Sequence, residues 1–551
     1  MNDAELAVSS ITEHLGVPPL IARILLARGI TSPEGAQLFL KPRLENLSDP
    51  FLLPDAEKGV LRLADAIRKK ETICIYGDYD ADGVSCLALM ANFLRYFGVF
   101  PHVHIPTREE GYGLHVEAVK DIGGKGVDLL ICLDCGSSNL EEIAYARNLG
   151  IDTIVIDHHE TGPDLPPAIA VINPKRPDSR FPTRDLAACG VTFFFLLGLR
   201  RVMHAKGLIS GHINLKKELD IVTIGTVGDM VPLTGDNRIL VRYGIEIMNK
   251  RPRAWLRAMY GAKAVPKGVV NEFALGFIIV PRINAAGRVS RPHDSLDFLV
   301  ADDDRAPYFL NKLQEANRKR QKIEEKTLRE IMGVIKAAGK DDRKRTIVVF
   351  DEKWHMGVLG IVAQKLAEQF GKPTIIITKA NGVWKGSGRG GEGLDLFEVI
   401  RSLSPLLLKY GGHKYACGIS LAEGNLPLFV EEFERAVKGC IAVKKKKIHV
   451  DTAAGFNELT AEAMDSLEEL GPFGMNNPRP NLLFLPTTIA AAYNGRVRIT
   501  DGDNRTWYGF YPAKGFPPAI SEGVRIIAAP VVRMEMGERF VYLNIKEILT
   551  E

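Results

Sequence analysis

Three aspartates, Asp78, Asp80 and Asp82, fall at i, i+2 and i+4 in Tyr76-Gly77-Asp78-Tyr79-Asp80-Ala81-Asp82-Gly83. Like charges this close repel one another, so the arrangement calls for a cation. The run comes after a β-branched apolar segment, Thr72-Ile73-Cys74-Ile75, and precedes residues 84–97, which have the spacing of an amphipathic helix. Two more apolar runs end in the same way: Leu129-Leu130-Ile131-Cys132-Leu133 stops at Asp134, and Thr153-Ile154-Val155-Ile156 stops at Asp157-His158-His159. Asp229 closes a further apolar segment, residues 221–227. Ligands of open α/β sheets bind beyond the carboxyl ends of the strands, so the pattern predicts four sites on one sheet edge. Taken singly, each acid reads as a turn or helix N-cap residue. Together, oxygen ligands mixed with imidazole suit Mn²⁺, Mg²⁺ or a similar divalent ion better than a thiolate site would.

A second set of residues is rich in glycine and positive charge. Trp354-His355-Met356-Gly357-Val358-Leu359-Gly360 opens a helix. Lys385-Gly386-Ser387-Gly388-Arg389-Gly390-Gly391 reads as a flexible, cationic turn, and Gly411-Gly412-His413-Lys414-Tyr415-Ala416-Cys417-Gly418 as another. Pro281-Arg282-Ile283-Asn284-Ala285-Ala286-Gly287-Arg288 adds an arginine-rich turn upstream. Glycines let backbone N–H groups approach an anion, and a hydroxyl with a guanidinium completes a phosphate cradle. A carboxylate/histidine site of the two-metal type beside a phosphate grip predicts hydrolysis of a phosphoester or phosphoanhydride.

These residues need scaffolds. Residues 58–230 alternate helix and strand, which predicts a mainly parallel sheet covered by helices. A less regular basic region covers 231–300, and 302–338 has the spacing of one long connecting helix. A second α/β unit comes next, with strands at 346–350 and 373–378 and helices at 358–370, 394–410 and 426–440. Residues 1–45 form a helical lead-in, and the last hundred or so residues turn β-rich, consistent with a small barrel. With 551 residues, 46% apolar and 25% charged, the chain has room for about three or four globular domains. A net charge of +4 is a weak signal for nucleic acid; Arg318-Lys319-Arg320 and Lys444-Lys445-Lys446-Lys447 are stronger local ones. No run reaches the ~18 apolar residues of a bilayer span, the N-terminus lacks a basic-then-apolar leader, and seven scattered cysteines argue for reduced thiols. The expectation is a cytoplasmic protein without a membrane partner. Cys74, Cys86 and Cys189 read as small apolar core residues.

The order Gly-Asp-Tyr-Asp-Ala-Asp-Gly, strand-terminal Asp134, Asp157-His158-His159 and Gly225-Thr226-Val227-Gly228-Asp229 resembles the DHH phosphoesterase superfamily. The Trp354 and Gly411 motifs resemble its associated C-terminal domain. Residues 281–288 and Gly471-Pro472-Phe473-Gly474-Met475-Asn476-Asn477-Pro478 are similar to motifs of one branch, the RecJ family of single-strand-specific 5′→3′ DNA exonucleases. The resemblance implies a DHH catalytic domain at 46–300, a connecting helix at 301–340, a DHH-associated domain at 341–443 and an oligonucleotide-binding (OB-like) barrel at 444–551, after the lead-in at 1–45. It implies two Mn²⁺ or Mg²⁺ ions held by Asp80, Asp82, Asp134, His158 and Asp229, with Asp134 as bridge and Asp78 and His159 in the same constellation. Ser387 and Arg389 would grip the terminal phosphate with Arg282 or Arg288, and His355 and His413 would touch substrate. The substrate would be a DNA single strand with a 5′ end, in repair and recombination, with a helicase and a single-strand-binding protein as partners.

Two other readings remain in play. One is a short-oligonucleotide or cyclic-dinucleotide phosphodiesterase of the same superfamily, and the other a non-catalytic scaffold that binds single strands. The long helix and the β-rich tail weigh against the first, and the intact acids and histidines against the second.

Overall fold

The computed structural model describes all residues except 1–2, 210, 212, 338–343, 381, 392, 441–447, 492–494, 512–519, 536–537 and 550–551. The tetralysine at 444–447 lies outside the described residues. The chain opens with three helices, α1 (Asp3–Leu15), α2 (Pro19–Ala27) and α3 (Pro33–Leu40). After α4 (Ala56–Lys69), strands and helices alternate: β1 (Ile73–Gly77), α5 (Ala81–Arg95), β2 (His102–His104), α6 (Val116–Gly123), β3 (Leu129–Leu133), α7 (Leu140–Asn148), β4 (Asp152–Ile156) and β5 (Ala170–Ile172). The strands form one sheet in the order β2-β1-β3-β4-β5, parallel throughout. Both faces are covered, so β1 and β3 are buried at every position and read as continuous apolar runs. This is the expected α/β architecture, and it turns the strand ends that carry the acids toward the same edge.

Helix α5 departs from the amphipathic expectation. It is buried on nearly every side, because α8 (Ala188–Ala205) and α9 (Leu219–Gly228) pack over the face left by the sheet. Helix α8 has the length and hydropathy of a membrane-crossing helix over its 18 residues, yet 67% of it is buried within the protein. It is a core helix built around Phe193, Phe194 and Phe195. The basic region at 231–300 is regular after all. It holds α10 (Gly235–Lys250), α11 (Ala254–Gly261), α12 (Glu272–Ala274), a π-helical turn at Leu275–Ile279, α13 (Val280–Val289) and α14 (His293–Val300).

The long helix α15 (Ala306–Ala337) packs against α11, α13 and α14 through its first half and against α16 (Met356–Phe370) further on. Its basic triplet is partly neutralised: Arg320 pairs with Glu324, and Lys319 donates to the carbonyl of Val289. Beyond it lie β6 (Ile347–Phe350), β7 (Thr374–Ala380), β8 (Val383–Arg389), α17 (Leu396–Ser402), β9 (Lys409–His413), β10 (Ala416–Leu421) and α18 (Leu426–Cys440). They build a mixed sheet in the order β6-β7-β8-β10-β9. Three sequence expectations fail here. The glycine-rich 385–391 segment is strand β8 as far as Arg389, paired on both sides. The 411–418 segment is the β9–β10 hairpin, and the helix expected at 394–410 ends at Ser402. Glycine signalled turns, but here it lets strands pack closely: a Cβ at Gly388 would lie 2.5 Å from Cys417 Sγ.

The tail holds β11 (Thr452–Ala453), α19 (Ala461–Glu469), β12 (Leu482–Ala491), β13 (Arg496–Thr500), β14 (Thr506–Phe510), β15 (Ile520–Glu535) and β16 (Glu538–Leu549). The last five strands close on themselves in the order β12-β13-β14-β16-β15-β12, with β14 and β16 parallel. This is the five-stranded Greek-key barrel of OB-folds.

The chain divides into two compact units, Met1–Ser48 with Met230–Tyr243 and Lys447–Glu551, and Asp49–Asp229 with Gly244–Lys446. In the smaller unit the barrel shares one core with the N-terminal helices, which runs from Ile11, Leu20 and Leu25 to Phe456, Phe484 and Ile526. Arg28 ties them, donating to Asp451 Oδ1 at 3.0 Å and to the carbonyl of Pro478 at 2.8 Å.

Candidate metal centre

The larger unit positions the aspartates, and each is held differently. β1 delivers Asp78, buried, with one carboxylate oxygen that has no hydrogen-bond partner. Asp80 caps α5: its Oδ1 accepts from the backbone N–H of Asp82 at 2.9 Å and Gly83 at 3.1 Å. The capping role assigned to lone acids is therefore real for Asp80, and its second oxygen stays available. Asp82 points into the core, where the first N–H groups of α8 meet it; Ala188 N donates to Oδ2 at 2.7 Å and Cys189 N to Oδ1 at 2.9 Å. Asn284 on α13 braces the loop, accepting from Ala81 N at 2.8 Å.

β3 delivers Asp134 in the left-handed region, at φ 61°, a conformation that costs a non-glycine residue about 1–3 kcal/mol. Its Oδ1 is buried and unpaired. β4 delivers the Asp-His-His run, whose members do three separate jobs. Asp157 accepts from the backbone N–H groups of Ser137 and His158 and from His159 Nδ1 at 2.8 Å. It is a clamp, held well below the usual carboxylate range, against its burial, by His159. His158 donates from Nδ1 to the carbonyl of Leu186 at 3.0 Å, which leaves Nε2 bare. That nitrogen faces Asp134 at 3.4 Å, Asp229 at 3.6 Å and Asp82 at 4.0 Å. Burial and the neighbouring His159 push its pKa down to about 3, so it is a neutral donor surrounded by carboxylates. Burial works against a charge on His159 too, but Asp157 holds that ring up at about 9.

Asp229 corrects the expectation of four sites on one sheet edge. It arrives from the carboxyl end of helix α9, not from a strand. Close approach of that helix depends on Gly225, where a Cβ would lie 2.6 Å from Asp82 Oδ1 and 2.5 Å from Cys189 Sγ.

Three ligand groups result among the described residues: Asp82, His158 and Asp229; Asp78, Asp80 and Asp134; and Asp134, His158 and His159, which overlaps both, each with donor atoms within 4.8 Å of one another. The 3.4 Å approach of Asp134 to His158 joins them. Burial and Asp80 raise Asp78 to about 7, and burial raises Asp82 to about 6 against its hydrogen bonds from Cys189. Burial and the surrounding aspartates push Asp134 and Asp229 well above the usual range. Buried carboxylates with unpaired oxygens are expensive. Hard divalent ions are the counter-charge that this oxygen-rich set with one imidazole fits.

A cationic cluster stands beside the acids in the same unit. Arg108 lies over the Tyr79 ring at 4.2 Å and donates to the carbonyl of Gly287 at 3.1 Å. Arg288 lies on helix α13, not in a turn, and donates to the carbonyl of Gly357 at 3.2 Å. Arg389 and Ser387 project from β8 toward Gly360 of α16, with Arg389 Nη1 3.3 Å from Ser387 Oγ. Burial, then Arg108, Arg320 and Arg389, push Arg288 down to about 9. Among the described residues no carboxylate pairs with Arg108, Arg288 or Arg389. The cluster is thus as short of anions as the aspartates are of cations.

Arg288 feels the charge of Arg389, whereas the charge that Arg282 feels is that of Arg318. Arg282 turns back to the carbonyl of Ile278 at 2.7 Å and lies near Arg318. His355 caps α16, accepting from Gly357 N at 3.0 Å, and remains exposed. His413 on β9 reaches across to His159, ring centres 6.0 Å apart. Arg108, Tyr112 and Asn173 carry no signal in the sequence that marks them as functional. Asn173, at the end of β5, donates to Ser137 Oγ and to the carbonyl of His159, locking two strand ends together. Its one local cue is its place at the end of an apolar strand.

Known families cover the same segments. Residues 72–226 match the DHH family N-terminal domain, and 343–439 match the DHHA1 domain. The single-stranded-DNA-specific exonuclease RecJ of Escherichia coli is 33% identical over 482 residues, covering 84% of this chain and 83% of that protein. The chain belongs to the RecJ family. RecJ of Bacillus subtilis is also 33% identical over 482 residues, and the alignment covers 86% of this chain but only 60% of that longer protein. Among solved structures, RecJ in complex with Mn²⁺ from Thermus thermophilus superposes with a TM-score of 0.84 at 26% identity, covering 99% of this chain and 78% of that one.

Proposed function

We propose that this chain is a metal-dependent exonuclease that degrades single-stranded DNA from the 5′ end to mononucleotides, in repair and recombination. The observation that carries the reading is the pairing, within one compact unit, of buried unpaired carboxylates with an arginine cluster that lacks anions. Asp80, Asp82, Asp134, His158 and Asp229 would hold two Mn²⁺ or Mg²⁺ ions, with Asp134 between them and Asp78 and His159 completing the set. Bound ions would polarise the scissile phosphate and activate water, so no protein nucleophile is required. The chain's own contribution is placement. The Leu186 carbonyl keeps His158 Nε2 free of its proton, Asp157 orients His159, and α8 fixes Asp82.

Ser387, Arg389 and Arg288 would grip the 5′-terminal phosphate, with Arg108 between that grip and the acids. His413 and His355 would line the path of the strand, and Arg282 would meet it further along. A grip at a set distance from the acids accounts for both polarity and mononucleotide product. The barrel supplies the stacking chemistry that single strands use: exposed Tyr508, and Phe510 and Tyr542 beneath the Arg533 guanidinium at 4.5 and 5.4 Å. In this reading 46–300 is the catalytic domain, 301–340 the connecting helix, 341–443 the phosphate-binding domain and 444–551 the strand-binding barrel. Family membership extends the proposal to cytoplasmic work alongside a helicase and a single-strand-binding protein.

The test is digestion of 5′-labelled single-stranded DNA with Mn²⁺. Labelled mononucleotide is released first; release from the 3′ end first overturns the reading.

A further inference from the structure

Tyr112 stands in a loop that carries none of the metal ligands, between Gly111 and Gly113, at φ 109° and 94°. Such angles suit glycine, so the two glycines take the turns that side chains rarely adopt and set the direction of the tyrosine between them. The loop is pinned on its far side: Tyr76 Oη donates to the carbonyl of Gly113 at 2.8 Å, and Asn139 bonds both the N–H and the carbonyl of Leu114. The Tyr112 ring packs on the His159 ring, centres 5.0 Å apart.

The hydroxyl makes two bonds. It donates to the carbonyl of Asp134 at 3.0 Å and lies 2.9 Å from His159 Nδ1. The phenol has a single proton, used on Asp134, so toward His159 its oxygen accepts. The other group at Nδ1, the Asp157 carboxylate at 2.8 Å, can also only accept. Nδ1 therefore carries the proton and shares it between two oxygens, and Nε2 is the atom turned outward. The same hydroxyl supports the Asp134 peptide in its left-handed conformation, alongside the 2.9 Å bond from Asp134 N to the carbonyl of Ile156.

We infer that Tyr112 is a positioning residue: its hydroxyl couples the end of β3, where Asp134 awaits an ion, to the end of β4, where His159 faces the substrate. This rests on the exonuclease reading for its consequence in catalysis, but the coupling itself is a property of the metal-free protein.

Tyr112→Phe keeps the ring contact and removes the bridge. Two measurements test it. Calorimetric titration of Mn²⁺ into the full-length variant shows an affinity lower by about 10-fold, the lower end of what loss of a ligand-orienting partner costs. On a 5′-phosphorylated single strand, kcat falls by a similar factor while KM stays within about twofold. In a cycle with His159→Ala, the Tyr112→Phe effect on kcat shrinks, because the part that acts through His159 is already gone while only the bond to the Asp134 carbonyl is left to lose. A raised KM with unchanged kcat makes Tyr112 a direct substrate contact and overturns the inference, as do additive losses in the cycle or unchanged Mn²⁺ affinity. If the wild type binds Mn²⁺ but cleaves no single strand, the exonuclease reading fails alone, and the calorimetry still decides the bridge.

Discussion

In the first sheet the reactive side chains stand just beyond the strands, at their carboxyl ends; in the second, Ser387 and Arg389 stand within strand β8 itself. In the proposed reading, the difference reflects the ligand each would hold. Parallel strands aim several chain ends at one point, and loops there can converge acids on a small ion. An antiparallel strand presents alternate side chains in a row, which suits a phosphate that needs a hydroxyl and a guanidinium side by side. Both regions carry unrelieved charge of opposite sign. One raises carboxylate pKa values and the other lowers those of arginines.

The sharpest way to break this comparison is to remove charge from the first region. Asp134→Asn lowers kcat by about a thousandfold, equivalent to about 4 kcal/mol of lost transition-state stabilisation. The metal-free variant unfolds at the same temperature as wild type or higher, because one buried carboxylate no longer repels its neighbours. Calorimetry of both forms without metal checks it, and a large drop in Tm removes the idea that the acids are strained for an ion. Arg389→Ala acts on the second region. It lowers kcat/KM on 5′-phosphorylated strands by about 10- to 100-fold, the loss of one or two charge-assisted hydrogen bonds. Mn²⁺ affinity stays unchanged, and the preference for 5′-phosphate over 5′-hydroxyl ends disappears.

pH separates the regions further. Asp78 and Asp82 titrate near 7 and 6 without metal, and ions bind the deprotonated forms. Mn²⁺ affinity therefore falls between about pH 7.5 and 5.5, and binding releases protons, measurable by titration in buffers of different ionisation enthalpy. Groups with raised folded pKa favour the fold when protonated. The metal-free protein thus loses stability as pH rises through about 7, and Mn²⁺ restores it. The arginines stay charged throughout this range.

The smallest effect expected is at Glu434, away from both regions. Its carboxylate accepts from the N–H groups of Arg345 and Thr346 at 2.8 and 3.0 Å, and its pKa is lowered, against burial, by the Arg345 N–H, the Thr346 hydroxyl and Lys438. A lowered folded pKa contributes stability above the ordinary carboxylate range that is lost in acid. Glu434→Gln therefore lowers stability by about 1 kcal/mol at pH 7 and by less near pH 4, by denaturant titration. Cleavage kinetics stay at the wild-type level; a change in kcat shows that the fold around β6 controls the grip.

Much of the metal centre was legible because its logic is local. A β-branched run leading into alternating aspartates states both the strand and the ligands in one short stretch, and the same holds for Asp134 and for Asp157 through His159. The proposed phosphate grip was legible in residue type but not in structure. Glycine marks turns and closely packed strands alike, and only pairing with β7 and β10 makes 385–389 a strand.

The sequence by itself determined the parallel α/β scaffold, the identity of the acids and histidines and the presence of a serine–arginine pair. Each of these is set by hydrophobic periodicity and by the residue types at strand ends. Tertiary structure decided which aspartate clamps and which one keeps a free oxygen, since Asp157 is filled by four donors and Asp134 Oδ1 has no hydrogen-bond partner. It also decided that Asp229 comes from a helix, that Arg282 turns back to Ile278 while Arg288 reaches Gly357, and that Tyr112 reaches His159. These depend on contacts between residues far apart in the chain, where burial and hydrogen-bond supply, not local pattern, set the role of each side chain.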